Sequence, residues 1–190
     1  MNQDAEIVKD GLTIWLGMLR DSFGRLYFIS NEEMIDIFGK SEELINKLID
    51  GKQQAFLHNL FEGIDTLQVS SESRRIQGLY SKVGEYVAFP ATISTASTPE
   101  KWLQGLEQAM ILALKGILFE SYELMDRDCL RIPEPGTPEF RRFMNDDDRL
   151  KRKIKEPIYL EWVTKFPGQS TYLSSQISFK QKIEAIFLGA

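Results

Sequence analysis

Thr98-Pro99-Glu100 opens the segment that most restricts what this chain can fold into. Thr98 is a helix cap and Pro99 suits the first helical position, where a missing N–H costs nothing. Glu100 meets the positive end of the helix dipole. Behind them an apolar stripe runs through Leu103, Leu106, Met110, Leu114, Ile117 and Leu118 to Tyr122 and Leu124, at helical spacing. Pro133, Pro135 and Gly136 interrupt it. Thr137-Pro138 repeats the cap logic, and the continuation through Asn145–Lys155 is strongly charged. A further helix begins near Pro157 with Ile158, Leu160, Trp162 and Val163. Phe166-Pro167-Gly168 bends the chain into a last helix that shows Leu173, Ile177, Ile183, Ile186 and Phe187.

The first half changes period three times. Ile7, Val8, Gly11, Ile14, Trp15, Met18 and Leu19 follow the rhythm of an amphipathic helix with one buried stripe. After the break at Ser22-Phe23-Gly24, Arg25-Leu26-Tyr27-Phe28-Ile29 reads as a short buried strand. Ser30 and Asn31 cap a short helix that carries Glu32 and Glu33 and ends at Gly39. Helices over Ser41–Ile49 and roughly Gln53–Phe61 follow. From Ile64 the period falls to two: a strand at Leu67-Gln68-Val69, a polar turn at Ser70–Ser73, then a hairpin of Ile76–Tyr80 with Glu85–Phe89. Gly84 is the residue for the positive-φ position of its loop. The Ala/Thr/Ser-rich stretch after Pro90 marks a seam. The expected fold is α+β, mainly α: a helical-bundle rod with a small hairpin and strand element in the N-terminal half. Its expected subdomains are a mixed helix/strand unit, 1–97, and an all-helical unit, 98–190.

Composition narrows the chemistry. With 190 residues and 43% apolar content, the chain is long enough to bury a core without metal or disulfide. The lone Cys129 has no partner for an intramolecular bridge and fits a reducing compartment. The net charge of −5 argues against nucleic-acid binding, which depends on neutralising phosphates. No apolar run has the length of a membrane span, and the Met1 end lacks the pattern of a signal peptide. His58 is the sole histidine, so Ser-His-Asp and Cys-His nucleophile systems and zinc sites all lack material. Neither Gly-x-x-x-x-Gly-Lys-Ser/Thr nor Gly-x-Gly-x-x-Gly occurs. Asp146-Asp147-Asp148 lacks the spacing, central Gly and distal Glu of a calcium loop. No catalytic, cofactor or metal residue is expected.

The order of segments resembles one family. Phe23-Gly24-Arg25-Leu26-Tyr27-Phe28-Ile29-Ser30-Asn31-Glu32-Glu33 is similar to the Phe-Pro-Arg-Phe-Tyr-Phe-Leu-Ser-Asn-Asp-Glu run of dynein heavy chains. In the same order, Leu60-Phe61-Glu62-Gly63-Ile64 resembles that family's Cys-Phe-Glu-Gly-Ile. Leu79-Tyr80-Ser81-Lys82-Val83-Gly84-Glu85-Tyr86-Val87 resembles Met-Tyr-Ser-x-Glu-Gly-Glu-x-Val. Glu100-Lys101-Trp102-Leu103, with Glu107 and Met110 beyond, resembles Val-Glu-x-Trp-Leu and the helix after it; Trp162, Pro167-Gly168-Gln169 and Gln176-Ile177 echo a Trp…Pro-x-Gln…Gln-Ile pattern. Gly24, Leu26 and Val83 depart from the family's usual Pro, Phe and Glu.

The resemblance, over about residues 12 to 187, implies the C-terminal part of the linker that precedes the first AAA+ module. In dyneins that element swings as the ring binds and hydrolyses ATP. It implies that the fragment is not itself an enzyme and needs no cofactor, with ATP and magnesium belonging to the full-length motor. The implied partners are the AAA+ ring and the rest of the linker, and microtubules only through the whole motor. The implied location is the cytoplasm and cytoskeleton, with an axonemal type left open. Gly84 and Glu85 are the candidate ring contact, beside their plainer role as turn residues. Trp15, Trp102 and Trp162 are expected in the core, His58 as a structural or surface residue, and Asp146–Lys155 as a solvated face. The resemblance makes this a piece of a longer rod, so one end, the first helix or the last, is expected to be either loosely ordered or buried against a second copy of the fragment. Two other classes stand beside this reading: a helical adaptor that binds a partner helix, and an enzyme built on a carboxylate pair, which rests only on the abundance of Asp and Glu.

Overall fold

The computed structural model describes residues 3–51, 55–125, 138, 141 and 159–188. Cys129, the break at Pro133, Pro135 and Gly136, the helix expected from Thr137 (apart from Pro138 and Arg141), the run Asp146–Lys155 and Ile158 lie outside the described residues.

Helix α1, Gln3–Ser22, leads through a single 3-10 turn, Gly24–Phe28, into α2, Asn31–Gly39, α3, Ser41–Ile49, and α4, Ala55–Leu60. Strands β1, Ile64–Val69, β2, Arg75–Ser81, and β3, Tyr86–Ser94, form an antiparallel sheet in the order β1-β2-β3. Helix α5 is Pro99–Leu124. Residues 159–165 are helical, and α6 is Gly168–Leu188. The mainly helical architecture with a small antiparallel sheet is as expected. Packing divides the chain into Met1–Ala113 and Leu114–Ala190, a division inside α5, whereas the sequence placed its seam at 97/98.

In the first unit, local chemistry sets the element ends. The Ser30 hydroxyl accepts from the Glu33 N–H while the Glu33 carboxylate accepts from the Ser30 N–H, a complete capping box for α2. Gly51, at φ +68, follows the C-terminus of α3. The Lys101 and Trp102 N–H groups donate to the Thr98 carbonyl, which fixes the start of α5. Trp102, Leu103 and Leu106 are buried there, in a unit whose core also holds Leu26, Met34, Leu48, Leu57 and Ile76.

Three expectations are corrected in this unit. Residues 25–29 are not a strand. Phe23, Leu26 and Ile29 are buried at intervals of one 3-10 turn, with the Leu26 N–H donating to the Phe23 carbonyl at 3.0 Å. Three residues per turn put Phe23, Leu26 and Ile29 on one side and leave Tyr27 and Phe28 outside, 64% and 69% exposed. Ala91–Ser94 is not a seam but the end of β3, where Ser94 pairs with Arg75 and Ile93 with Ile76. The buried face of α1 is also not the expected stripe. Leu16 and Leu19 point inward, while Ile7, Val8, Ile14 and Met18 are about two-thirds exposed and Trp15 is 39% exposed against the edge of Phe38.

In the second unit, Met125, Trp162 and Phe166 form a small core with Ile117 and Leu124 packed against it. The Trp162 indole N–H donates to the Ser121 carbonyl at 2.8 Å. The last helix inverts its expected pattern. Ser170, Thr171, Ser174 and Ser178 are buried, whereas Leu173, Ile177, Ile183 and Phe187 are exposed. On α5 the expected Leu114 is likewise exposed, while Ser121 on α5 and Met125 just past its end are buried.

Candidate functional site: the Arg25 cluster and the hairpin turn

The 3-10 turn places the half-buried Arg25 against α4 and α5. Its Nε donates to Glu107 Oε1 on α5 at 2.8 Å, and its Nη1 donates to the Leu60 carbonyl at the end of α4 at 2.9 Å. The guanidinium lies 4.7 Å from the centre of the buried Phe61 ring, which itself packs on Phe23. Planar donors and a delocalised charge suit a site that offers a carboxylate, a carbonyl and an aromatic face together. The pair with Glu107 is partly solvated, so its ionic strength is modest; its value is that it ties together segments 82 residues apart.

The same turn presents a second group outward. Arg20 Nη2 donates to Asn31 Oδ1 at 2.8 Å, and its guanidinium lies 5.8 Å from the centre of the Tyr27 ring. Tyr27 donates to Asp21. Gly63 sits in the turn into β1, where the Ile64 N–H donates to the Phe61 carbonyl; a Cβ there would meet open space.

The hairpin loop is built as its sequence requires. The Gly84 N–H donates to the Ser81 carbonyl, and the Ser81 N–H donates to the Glu85 carbonyl, both at 2.9 Å. Gly84 has φ +82, the left-handed position that closes a three-residue loop. Glu85 N–H also donates to the Ser81 hydroxyl. Val83, at the tip, is 81% exposed. Behind the loop, Tyr80 and Tyr86 pack at 4.9 Å, and Tyr86 lies across Gly78. Burial, then the neighbouring Tyr80, hold the Tyr86 hydroxyl above its usual pKa.

Trp102 and Leu103 are buried on α5, and the Trp102 indole N–H has no partner among the described residues. Trp162 belongs to the second unit, as do half-buried Pro167 and exposed Gln169. The Pro167 carbonyl accepts from the Ser170 and Thr171 N–H groups and so starts α6. The structure therefore gathers Arg25 and Phe61 with Glu107, and groups Gly84 with Glu85. His58 Nε2 lies 3.6 Å from Asp65 Oδ1, beyond hydrogen-bond reach. Two positions escaped sequence reasoning as structural determinants: Gly78, although an isolated glycine in a strand is a signal of close approach, and Ser121, for which no local signal exists.

Among the described residues no group of three or more His, Cys, Asp or Glu is placed to hold a metal ion, and no helix is long and apolar enough to cross a membrane. An open cleft of about 310 Å³ between α2 and α3 has Ile37, Leu44 and Phe56 on its floor. Lys40 pairs with Asp36 and Lys47 with Glu43 on its rim. The hydrogen bond to Asp36 raises the Lys40 pKa, and that to Lys47 lowers the Glu43 pKa.

Residues 1–121 match the family model for dynein heavy chain, N-terminal region 2. The cytoplasmic dynein heavy chain of Dictyostelium discoideum is 28% identical over 184 residues, 96% of this chain and 3% of that protein. The Chlamydomonas reinhardtii dynein-1-beta heavy chain of the flagellar inner arm I1 complex is 32% identical over 65% of this chain and 3% of its own length. Human dynein axonemal heavy chain 2 is 26% identical over 100% of this chain and 4% of its own length. The chain thus spans only a few per cent of the length of these relatives. The match over 1–121, which takes in the Arg25 cluster, the hairpin and most of α5, establishes that this chain belongs to the dynein heavy chain family.

Proposed function

We propose that this chain is a lever segment of a dynein motor, the part of the linker that carries ATP-driven changes in the AAA+ ring toward movement along microtubules. The observation that carries this reading is α5, a continuous 26-residue helix of about 39 Å. One part of it is seated in the first unit through Trp102, Leu103 and Leu106, with Glu107 held by Arg25. Another belongs to the second unit, where Ser121 receives Trp162. A member that transmits force needs stiff elements, and a long helix packed within its own unit resists bending.

The exposed hairpin turn, Ser81–Glu85 with Val83 at its tip, is the proposed ring contact, since a rigid strand pair can press a small surface against a moving neighbour. The partners in this reading are the ring and the remaining linker of the same heavy chain. ATP and magnesium act in the ring, and the setting is the cytoplasmic or axonemal microtubule cytoskeleton. Val83→Asp and Glu85→Lys in the full heavy chain test it by microtubule gliding and basal ATP turnover. Slower gliding with basal turnover preserved is expected; unchanged gliding in both variants removes the hairpin from the contact.

A further inference from the structure

We infer that the outward face of α1 is a docking surface for an amphipathic helix whose flank is basic. Ile7, Gly11, Ile14 and Met18 recur along α1 at intervals of four, three and four, the seam spacing of paired helices. Ile7, Ile14 and Met18 are each 66% exposed, although Leu16 and Leu19 on the opposite side already fasten α1 to its own unit. The face therefore contributes little to the fold that holds it. From Ile7 to Met18 it runs about 16 Å, enough for three helical turns of contact.

Gly11 lies within this seam, and a Cβ added there would meet nothing within 4 Å. Among the described residues no packing requires a glycine at that position, and glycine weakens a helix. In a seam of large side chains it leaves a recess, which a side chain from a facing helix can enter.

Charge selects among occupants. At 100° per residue, Asp10 and Asp21 fall along the outer edge of the seam and Glu6 lies beyond it, about 110° from the seam's centre, while Lys9 and Arg20 fall on the far side of the helix. All three acids are exposed. A second copy docked by the same face sets acid against acid, and an anionic membrane surface repels the same edge. A helix with lysine or arginine beside its apolar stripe meets this edge with opposite charge, and its apolar residues cover Ile7, Ile14 and Met18.

This inference stands apart from the lever reading, since it concerns only what covers α1. Two labelled synthetic helical peptides test it on the 190-residue chain by fluorescence anisotropy. Both carry leucine at four-three-four spacing; one has lysine flanks and the other glutamate flanks. The lysine-flanked peptide is expected to bind about tenfold more tightly at low salt, with the preference fading near 0.5 M salt. Ile14→Asp with Met18→Asp, both at exposed positions, is expected to abolish binding while the melting temperature holds. Glu6→Lys with Asp10→Lys is expected to reverse the preference. Equal binding of the two peptides overturns the inference, as does no binding by either or binding that survives the Ile14/Met18 variant. Sedimentation showing that this face pairs two copies of the chain also overturns it.

Discussion

The two buried tryptophans differ in one atom's circumstances, and that difference sets a measurable order of stabilities. Trp102 and Trp162 are each 1% exposed. The Trp162 indole N–H donates to the Ser121 carbonyl at 2.8 Å, whereas the Trp102 indole N–H is buried without a partner among the described residues. Trp102→Ala removes the whole ring from the first unit and is expected to cost about 3–5 kcal/mol. For a chain of this length that lowers the melting temperature by roughly 6–20 °C, at about 2–4 °C per kcal/mol. Phenylalanine separates the indole's bulk from its donor. At 162 the change breaks a hydrogen bond and leaves a buried carbonyl short of one partner, a loss of about 1–3 kcal/mol on top of the smaller ring. At 102 the same change deletes a donor that was already unsatisfied, so the lost volume is partly offset. Calorimetric unfolding of Trp102→Phe and Trp162→Phe, read against the parent chain, should therefore show the larger loss at 162. A larger loss at 102 refutes the assignment of an unpaired donor there, and an unchanged melting temperature for Trp102→Ala refutes its place in the core.

Gly78→Ala places a Cβ 2.6 Å from the Val87 carbonyl oxygen and from Tyr86 Oη; because one of these is backbone, Tyr86→Ala should not rescue it, and urea unfolding should show a loss of about 1–3 kcal/mol. Arg25→Lys keeps the charge but loses the fork that serves Glu107 and Leu60, so it should cost about 1 kcal/mol, more than Glu107→Gln does, by the same assay. Ser174→Leu, although it makes α6 more apolar, should lower the melting temperature through overpacking worth about 1–3 kcal/mol, whereas Ser174→Ala should be nearly neutral. Titration calorimetry of the 190-residue chain with ATP and magnesium should show no saturable heat in the micromolar range, as a lever segment without a phosphate cradle requires.

The elements that sequence reasoning placed well are those whose ends carry their own chemistry. Ser30 with Glu33, Gly51 after α3, Gly84 in the hairpin and Thr98-Pro99 before α5 each satisfy or release backbone groups locally, and a local rule can find them. The turn at Gly24–Phe28 escaped because five residues rich in aromatic and branched side chains satisfy a strand template as well as a 3-10 one. The deciding fact is that Phe23, Leu26 and Ile29, three apart, all find a core to enter. Arg25 was legible as part of a family pattern, but its bonds to Glu107 and Leu60 come from residues far along the chain, and no window of sequence contains them.

Helix α6 shows why periodicity finds a helix more readily than it finds the helix's inside. Its large side chains, Tyr172, Leu173, Ile177, Phe179 and Phe187, lie outward, and its buried face is Ser170, Thr171, Ser174 and Ser178. Burying hydroxyls is inexpensive here because they find partners close at hand. Thr171 Oγ1 donates to the Gly168 carbonyl at 2.8 Å, and Ser174 Oγ donates to Ser121 Oγ at 3.1 Å. What the small side chains gain is proximity: Ser121 and Ser174 let α5 and α6 approach closely, and a leucine in either place would hold them apart. The volume available on α5 therefore decides which face of α6 turns inward. Hydrophobicity alone assigns the opposite face, because it measures what each residue gains from leaving water and not the room its neighbours leave for it.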